Sequence, residues 1–254
     1  MFAQIRTKNP SALPLRRSIE VPGRAIVRLG SRTPSSIIYK PGIRFVEVNT
    51  VESIENSRDK LRMKKCFATL DIPQAEWWSD HLDRTSFDEK MYPLVGKLIV
   101  GFKGHGMQLI NNESELRTWL SSHNNGQYYL EKFYNYSREY RVHATQSHAF
   151  MSWRKLRRSD ATERWFFNSS NCNWVSPEHP LFDRPRNWDV MEEAAVNAIR
   201  AVGLDIGAVD IRVQSKDTPK FIVLEVNSAP QLGEAGIEAY KNEIRNIIIN
   251  KYDR

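Results

Sequence analysis

Two apolar runs near the C-terminal end, GAVDIRV (207–213) and KFIVLEV (220–226), stand on either side of the turn-forming stretch QSKDTP. They predict an antiparallel hairpin about Lys216–Pro219. A turn centred between 217 and 218 sets Asp210 opposite Glu225, and strand alternation puts Asn227 on the same face as Glu225. Carboxylates flanked by Val209, Ile211, Leu224 and Val226 repel one another and resist desolvation unless a cation sits between them. Hard oxygen ligands in small number, with room for water and phosphate oxygens, describe a Mg²⁺ site of the nucleotide-bound sort. The same Asp and Glu on a solvent face beside Arg212 and Lys220 are simply solvated, so the hairpin alone leaves both readings open.

The rest of the chain supplies elements for a mixed α+β protein. Strands are predicted at 24–29 (RAIVRL) and 43–48 (IRFVEV), in a first part short of core. Residues 51–70 read as a helix with Leu61, Cys66, Phe67 and Leu70 at helical intervals and Lys60, Arg62, Lys64 and Lys65 on the opposite face. The run PLVGKLIVGFKGHGMQLI (93–110) reads as two strands around a glycine loop. A helix over 114–120 follows, capped by Asn111 or Asn112 with Glu115. Further strands are predicted at 128–134, 139–145 and 148–154, then a loop-rich stretch over 155–187. An amphipathic helix over 190–201 ends at Gly203, and a last helix runs over 236–252. There is no internal repeat and no low-complexity tract.

The totals set limits. A chain of 254 residues with 41% hydrophobic residues buries a real core. No run approaches a membrane span, and the first residues lack the apolar stretch of a secretion signal. The acid-free basic leader reads as a loose arm or an organelle-targeting segment. Cys66 and Cys172 fit no metal spacing and read as reduced thiols in a cytoplasmic protein. The net charge of +7 suits an anionic partner without choosing among nucleotide, acidic peptide and nucleic acid.

Company for the carboxylates comes from GFKGHGM, whose glycines let backbone N–H groups approach an anion while Lys103 adds charge. An ordinary glycine-rich turn is the other reading. Lys97, inside the apolar run LVGKLIV, needs an anionic partner unless it snorkels to solvent.

Taken in order, these pieces resemble the ATP-grasp ligases, which include D-alanine:D-alanine ligase, glutathione synthetase and the glutamate-adding ligases of ribosomal protein tails. The resemblance runs from about Asn49 to Gly236. It implies an α+β fold of two lobes clasping ATP, at 60–125 with the flap and 128–254 with the metal site, after a reduced α/β leading lobe over 1–59. DKLRMKK resembles the segment with the first nucleotide lysine, Lys60. PLVGKLIVGFKGHGMQLI resembles the strand and flap, implying Lys97 on the α- and β-phosphates and Lys103, Gly104, His105, Gly106 and Met107 over them. YLEKFYNYSREYRV is similar to the hinge, so Glu131, Lys132 and Phe133 meet adenine, partly through backbone groups, and Glu139 binds the ribose. FMSWRKLRR resembles the strand end that reaches the transferred phosphate, implying Arg154 with Lys155 in reserve. GLDIGAVDIRV and FIVLEVNSAPQLG resemble the metal-binding strands, implying Asp210, Glu225 and Asn227 as ligands of Mg²⁺ or Mn²⁺.

The implied activity is ADP-forming. ATP phosphorylates a carboxylate, and an amine displaces phosphate to give an amide. No histidine carries a motif for a general base, and His105 is the nearest candidate. The basic WRKLRR stretch suggests an acidic or phosphorylated acceptor, whether an acidic peptide tail, a nucleotide or modified nucleic acid, within small-molecule or peptide carboxylate and amine substrates. There is no helix-turn-helix, zinc spacing or RNP-type strand to suggest specific nucleic-acid recognition. The short leading lobe leaves a place for a second copy or an accessory protein. A kinase on the same fold and a non-catalytic nucleotide-binding module are the other readings.

Overall fold

The computed structural model describes residues 1–33, 45–79, 88–101, 104–123, 126–168, 170–218 and 220–253. Three short strands, β1 (Gln4–Thr7), β2 (Arg24–Leu29) and β3 (Phe45–Val48), form a parallel sheet in the order β1-β2-β3. Residues 43 and 44 of the predicted second strand lie outside the described residues.

The helical pattern of 51–70 resolves into two helices, α1 (Val51–Arg58) and α2 (Lys60–Ala68), because Asp59 leaves helical geometry and caps the second. Its carboxylate accepts from the Leu61 and Arg62 N–H groups at 2.9 and 3.0 Å. The break re-aims α2: Met63, Lys64 and Phe67 are buried, whereas Leu70 is exposed. Lys64 therefore leaves the solvated basic face predicted for it.

A four-stranded antiparallel sheet follows, in the order β4-β7-β5-β6, from β4 (Trp77–Ser79), β5 (Leu94–Leu98), β6 (Gln108–Ile110), helix α3 (Glu113–Ser122) and β7 (Tyr128–Lys132). The predicted capping box closes the start of α3. Asn112 accepts from the Glu115 N–H at 2.9 Å, and the Glu115 carboxylate accepts from the Asn111 N–H at 2.8 Å.

The second antiparallel sheet is built from β8 (Arg138–Thr145), β9 (Ala149–Arg157), β10 (Cys172–Val175), helix α4 (Trp188–Val202), β11 (Ile206–Val213) and β12 (Phe221–Asn227). Its order is β10-β9-β8-β11-β12. Strand β10 interrupts the stretch read as loop from sequence. Helix α5 (Glu234–Tyr252) ends the fold. Gly203 closes α4 at φ 77°, the left-handed cap its position predicts.

Three cores result. Leu116 and Trp119 of α3 pack on the four-stranded sheet with Leu94 and Leu130. Helix α4 covers one face of the five-stranded sheet, joined by Met63 and Phe67 of α2. The leading sheet, short of core by itself, is completed by Tyr240, Ile244 and Ile248 of α5. No helix among the described residues is long and apolar enough to cross a membrane.

Candidate active site

One face of the five-stranded sheet is spent on α4, and the other looks across a cleft toward β5 and β7. The cleft has a volume of about 630 Å³. The hinge residues Glu131 to Tyr134 stand at one end of it, and Ala229 to Gln231 with Asn9, Pro10 and Ser11 stand at the other. Asn9 ties these last segments together, donating to the carbonyls of Ala229 and Pro230 at 3.1 and 2.8 Å.

Asp210 pairs with Glu225 as the hairpin predicts, but the register slips by one residue just after, where Ile211 pairs with Val223. Leu224 is thus the extra residue of a bulge. The bulge resets the alternation of β12: Val223 and Val226 enter the core, while Ile222, Glu225 and Asn227 all line the cleft. Without it, Ile222 and Glu225 would lie on opposite faces.

Cross-strand pairing builds two charged rows on this face. In one, Trp174 pairs with Lys155, Lys155 with Glu139, and Glu139 with Arg212. In the other, Arg141 pairs with Asp210 and Asp210 with Glu225. Lys155 Nζ donates to Glu139 and, at 3.0 Å, to Asp210. Arg141 grips Asp210 through Nε at 2.7 Å and Nη2 at 2.9 Å. Burial pushes the Asp210 carboxyl up, but Arg141 and Lys155 outweigh it and hold the group well below the usual carboxylate range. Burial would lower the Lys155 ammonium, yet Asp210 and Glu139 leave it raised.

On the opposite wall, Glu131 Oε2 accepts from Lys97 Nζ at 2.8 Å and from the Tyr129 hydroxyl at 3.0 Å. Lys64 Nζ faces Oε1 at 3.4 Å. Burial again pushes the carboxyl up, while Lys64 and Lys97 win and hold it at about 2. Lys64 shares its anion with Lys97, so for its own ammonium burial dominates and the pKa is lowered. Lys60 Nζ donates to the Gly101 carbonyl at 2.9 Å and lies 3.9 Å from Glu225.

Most sequence-predicted residues meet here. Lys60, Lys97, Gly104, His105, Met107, Glu131, Lys132, Phe133, Glu139, Lys155, Asp210, Glu225 and Asn227 line the cleft. Lys103 lies outside the described residues. Gly106 is not part of the lining, and at φ 70° it helps turn the flap.

One expectation needs correction. Arg154 is one residue from Lys155 on β9, so it points to the other face. Its Nη1 donates to the Leu181 carbonyl at 2.6 Å, and it packs over the Tyr140 ring. Lys155, the reserve, is the residue that faces the cleft. The Lys132 and Phe133 N–H groups donate to the carbonyls of Glu76 and Pro93 at 2.9 and 3.0 Å. Asp210 lies in the same lining as Glu225 and Asn227, and its carboxylate accepts from Arg141 and Lys155. The Asp210 and Glu225 carboxylates and the Asn227 carboxamide are a set of oxygen donors that fits Mg²⁺ carried by nucleotide phosphates.

Sequence reasoning missed Lys64, Arg141, Trp174 and Arg212. Arg141 was within reach, because alternation puts it on the face of Glu139. Arg212 is 7% exposed, donates to the carbonyls of Tyr136 and Trp165 at 3.2 and 2.8 Å, and lies against the rings of Phe133 and Phe167.

Comparison with solved structures shows a shared fold. Carboxyaminoimidazole ribonucleotide synthase from Aspergillus clavatus, complexed with ATP, superposes with a TM-score of 0.64 at 15% identity over 89% of this chain and 60% of that one. D-alanine–D-alanine ligase from Bacillus anthracis superposes with a TM-score of 0.58 at 17% identity over 82% of this chain and 70% of that one. The chain has the ATP-grasp fold. In ATP-grasp terms, β5 to β7 form the flap-bearing wall, and β8 to β12 form the wall with the carboxylates. A probable alpha-L-glutamate ligase of Parasynechococcus marenigrum (strain WH8102) is 27% identical over 217 residues, covering 82% of this chain. The chain spans only 43% of that relative's length. No family model matches the chain.

Proposed function

We propose that the chain is an ATP-dependent ligase that activates a carboxylate as an acylphosphate and joins it to an amine. The observation that carries this reading is the cleft itself, lined by Lys60 and Lys97 on one side, by Arg141, Lys155, Asp210, Glu225 and Asn227 on the other, and by Gly104, His105 and Met107 of the glycine loop. Phosphoryl transfer needs charge neutralisation and positioning more than a protein nucleophile, and this lining provides both.

In this reading the base lies at the hinge end beside Phe133, and the phosphates lie along Lys97 and Lys60. Asp210, Glu225 and Asn227 would hold Mg²⁺, which would neutralise phosphate charge when bound. A substrate carboxylate oxygen attacks the γ-phosphorus as the bond to the ADP oxygen breaks, and ADP leaves. The amine then attacks the acyl carbon, inorganic phosphate departs, and the amine proton passes to phosphate or water. The substrates enter between Ser11 and Gln231, at the end away from the hinge.

The likeness to a probable glutamate ligase makes glutamate and glutamate-containing peptides the first substrates to test. Cys66 and Cys172 are unbridged, in keeping with a reducing compartment such as the cytoplasm.

The test is ADP release from ATP and Mg²⁺ with a panel of amino acids and acidic peptides, comparing the parent with Glu225→Ala. The reading expects ADP, phosphate and a product of the combined mass less one water, lost in the variant. A phosphorylated acceptor would make the chain a kinase. Nucleotide binding without ADP release from any acceptor would make it a binding module.

A further inference from the structure

The proposed reaction leaves one buried cation of the cleft unused. Arg212 of β11 is 7% exposed and lines the cleft. Its cross-strand neighbour on β8 is Glu139, but that carboxylate is taken by Lys155, and among the described residues Arg212 forms no ion pair. What holds the guanidinium is uncharged. Nε donates to the Tyr136 carbonyl at 3.2 Å and Nη2 to the Trp165 carbonyl at 2.8 Å, while Nη1 has no hydrogen-bond partner among the described residues.

A guanidinium taken out of water needs compensation for its charge. Two carbonyls supply part of it, and two rings supply more. The guanidinium carbon lies 5.6 Å from the centre of the Phe133 ring and 5.2 Å from that of Phe167. Trp165, whose carbonyl anchors Nη2, also meets Phe133 edge to face at 6.2 Å. The charge is therefore fixed in place by the hinge and by the segment after β9, with an N–H edge left over.

Register sets where that edge stands along the cleft. Arg212 pairs with Glu139 on one side and Ile222 on the other, in the row nearer the hinge, two residues from the row of Asp210 and Glu225. Ile222, Leu224, Phe133, Trp165 and Phe167 line the same cleft, so Arg212 is a cation among apolar and aromatic side chains. In the nucleotide reading the phosphates run along Lys97 and Lys60, and the group that comes to Arg212 is the base. A nucleobase offers an electron-rich face and acceptor atoms, and a guanidinium held in one plane can use either without reorganising. Adenine has the larger and more electron-rich face, uracil the smaller and poorer one.

We propose that Arg212 is a base-selecting residue: its guanidinium contacts the base of the bound nucleotide and makes the cleft favour adenine over a pyrimidine. The proposal rests on the nucleotide reading above and adds a charged contact at the hinge end of the cleft. Arg212 takes no part in holding phosphate or metal.

The experiment measures ATP and UTP affinity in Mg²⁺ by displacement of a fluorescent trinitrophenyl-ATP, for the parent, Arg212→Met, Arg212→Gln and Lys97→Met. The parent should favour ATP over UTP by about tenfold or more, and Arg212→Met should weaken ATP by about tenfold while leaving UTP within about twofold. Lys97→Met should weaken both nucleotides alike, because it acts on what they share.

An Arg212→Met variant that weakens ATP and UTP equally, as Lys97→Met does, overturns the proposal, and so does one that leaves ATP affinity unchanged. Should Arg212→Met not fold, Arg212→Gln carries the test, since glutamine can still donate to a carbonyl but has no charge, and the same loss confined to ATP is expected. Should neither fold, the parent decides by itself, and equal affinities for ATP and UTP contradict the proposal. A parent that binds neither nucleotide refutes the nucleotide reading, whereas a parent that binds ATP with no change in either Arg212 variant refutes only this proposal.

Discussion

Lys64 Nζ lies 3.4 Å from Glu131 Oε1, while the other oxygen of that carboxylate takes the Lys97 ammonium at 2.8 Å. Lys64 belongs to α2, whose apolar face joins the core of the five-stranded sheet, and Glu131 belongs to the four-stranded sheet. One buried carboxylate therefore joins the two walls of the cleft from beneath. Removing it strands two ammonium groups, so Glu131→Ala should lose about 3–5 kcal/mol in urea denaturation. Lys64→Met should lose less, about 1–3 kcal/mol, because Glu131 keeps Lys97 and Tyr129. Equal losses from the two variants would show that the carboxylate does not serve both cations.

Stability should fall on acidification before any carboxylate titrates. His143 is buried, and desolvation, with Arg141 nearby, lowers its pKa from 6.5 to about 3. The folded state binds the proton more weakly than the unfolded one, so the contribution is fully present above 6.5 and is lost as pH falls toward 3. Glu131, held at about 2 against an ordinary 4.5, adds a second loss at lower pH by the same sign. Denaturation midpoints at pH 7, 5.5 and 4 should drop for the parent from the first step. His143→Gln should be flat between pH 7 and 5.5, and a variant that falls as steeply as the parent would remove His143 from the explanation.

The flap offers a backbone test. Gly104 sits at φ 76°, and a Cβ there would lie 2.9 Å from the Phe166 ring. Gly104→Ala should cost roughly 1 kcal/mol or more of local strain and push the flap off the aromatic segment. The expected outcome is a several-fold higher KM for ATP with the melting temperature within a few degrees of the parent. An unchanged KM would mean that the flap does not close on nucleotide through this contact.

Neighbouring residues on β9 should behave oppositely. Arg154 holds the Leu181 carbonyl and lies 3.5 Å from Asp183, outside the cleft, whereas Lys155 is in it. Arg154→Met should lower stability and leave ATP affinity within about twofold, a limit well below the tenfold that 1.4 kcal/mol represents. Lys155→Met should abolish ADP release. ADP release lost in Arg154→Met at full stability would restore the role first read for it.

Legibility followed the range of the interaction. The hairpin, the α3 capping box, the Gly203 cap and the pairing of Asp210 with Glu225 depend on residues a short distance apart, and alternation or capping chemistry was enough to place them. The bulge at Leu224 lies one residue beyond that pairing and changes which side chains reach the cleft. Nothing in KFIVLEV signals it, because Phe221, Ile222, Val223 and Leu224 suit either face. Lys64 looked solvated because its partner, Glu131, is remote in sequence, and a buried lysine is recognisable only once its anion is placed. Arg154 and Lys155 are adjacent residues of one strand, and the register of β9 against β8 sets which of them faces the cleft. The strand β10 hid in a polar stretch, and the completion of the leading sheet by α5 joins the two ends of the chain.

The central claim is that the cleft between the two walls holds a magnesium nucleotide. Titrating ATP into the protein with and without Mg²⁺, for the parent, Lys97→Met and Glu225→Gln, tests it most directly. The account predicts one ATP per chain for the parent, bound tightly only with Mg²⁺, and weakened at least tenfold in either variant. No binding to the parent, or binding that neither substitution changes, would contradict it.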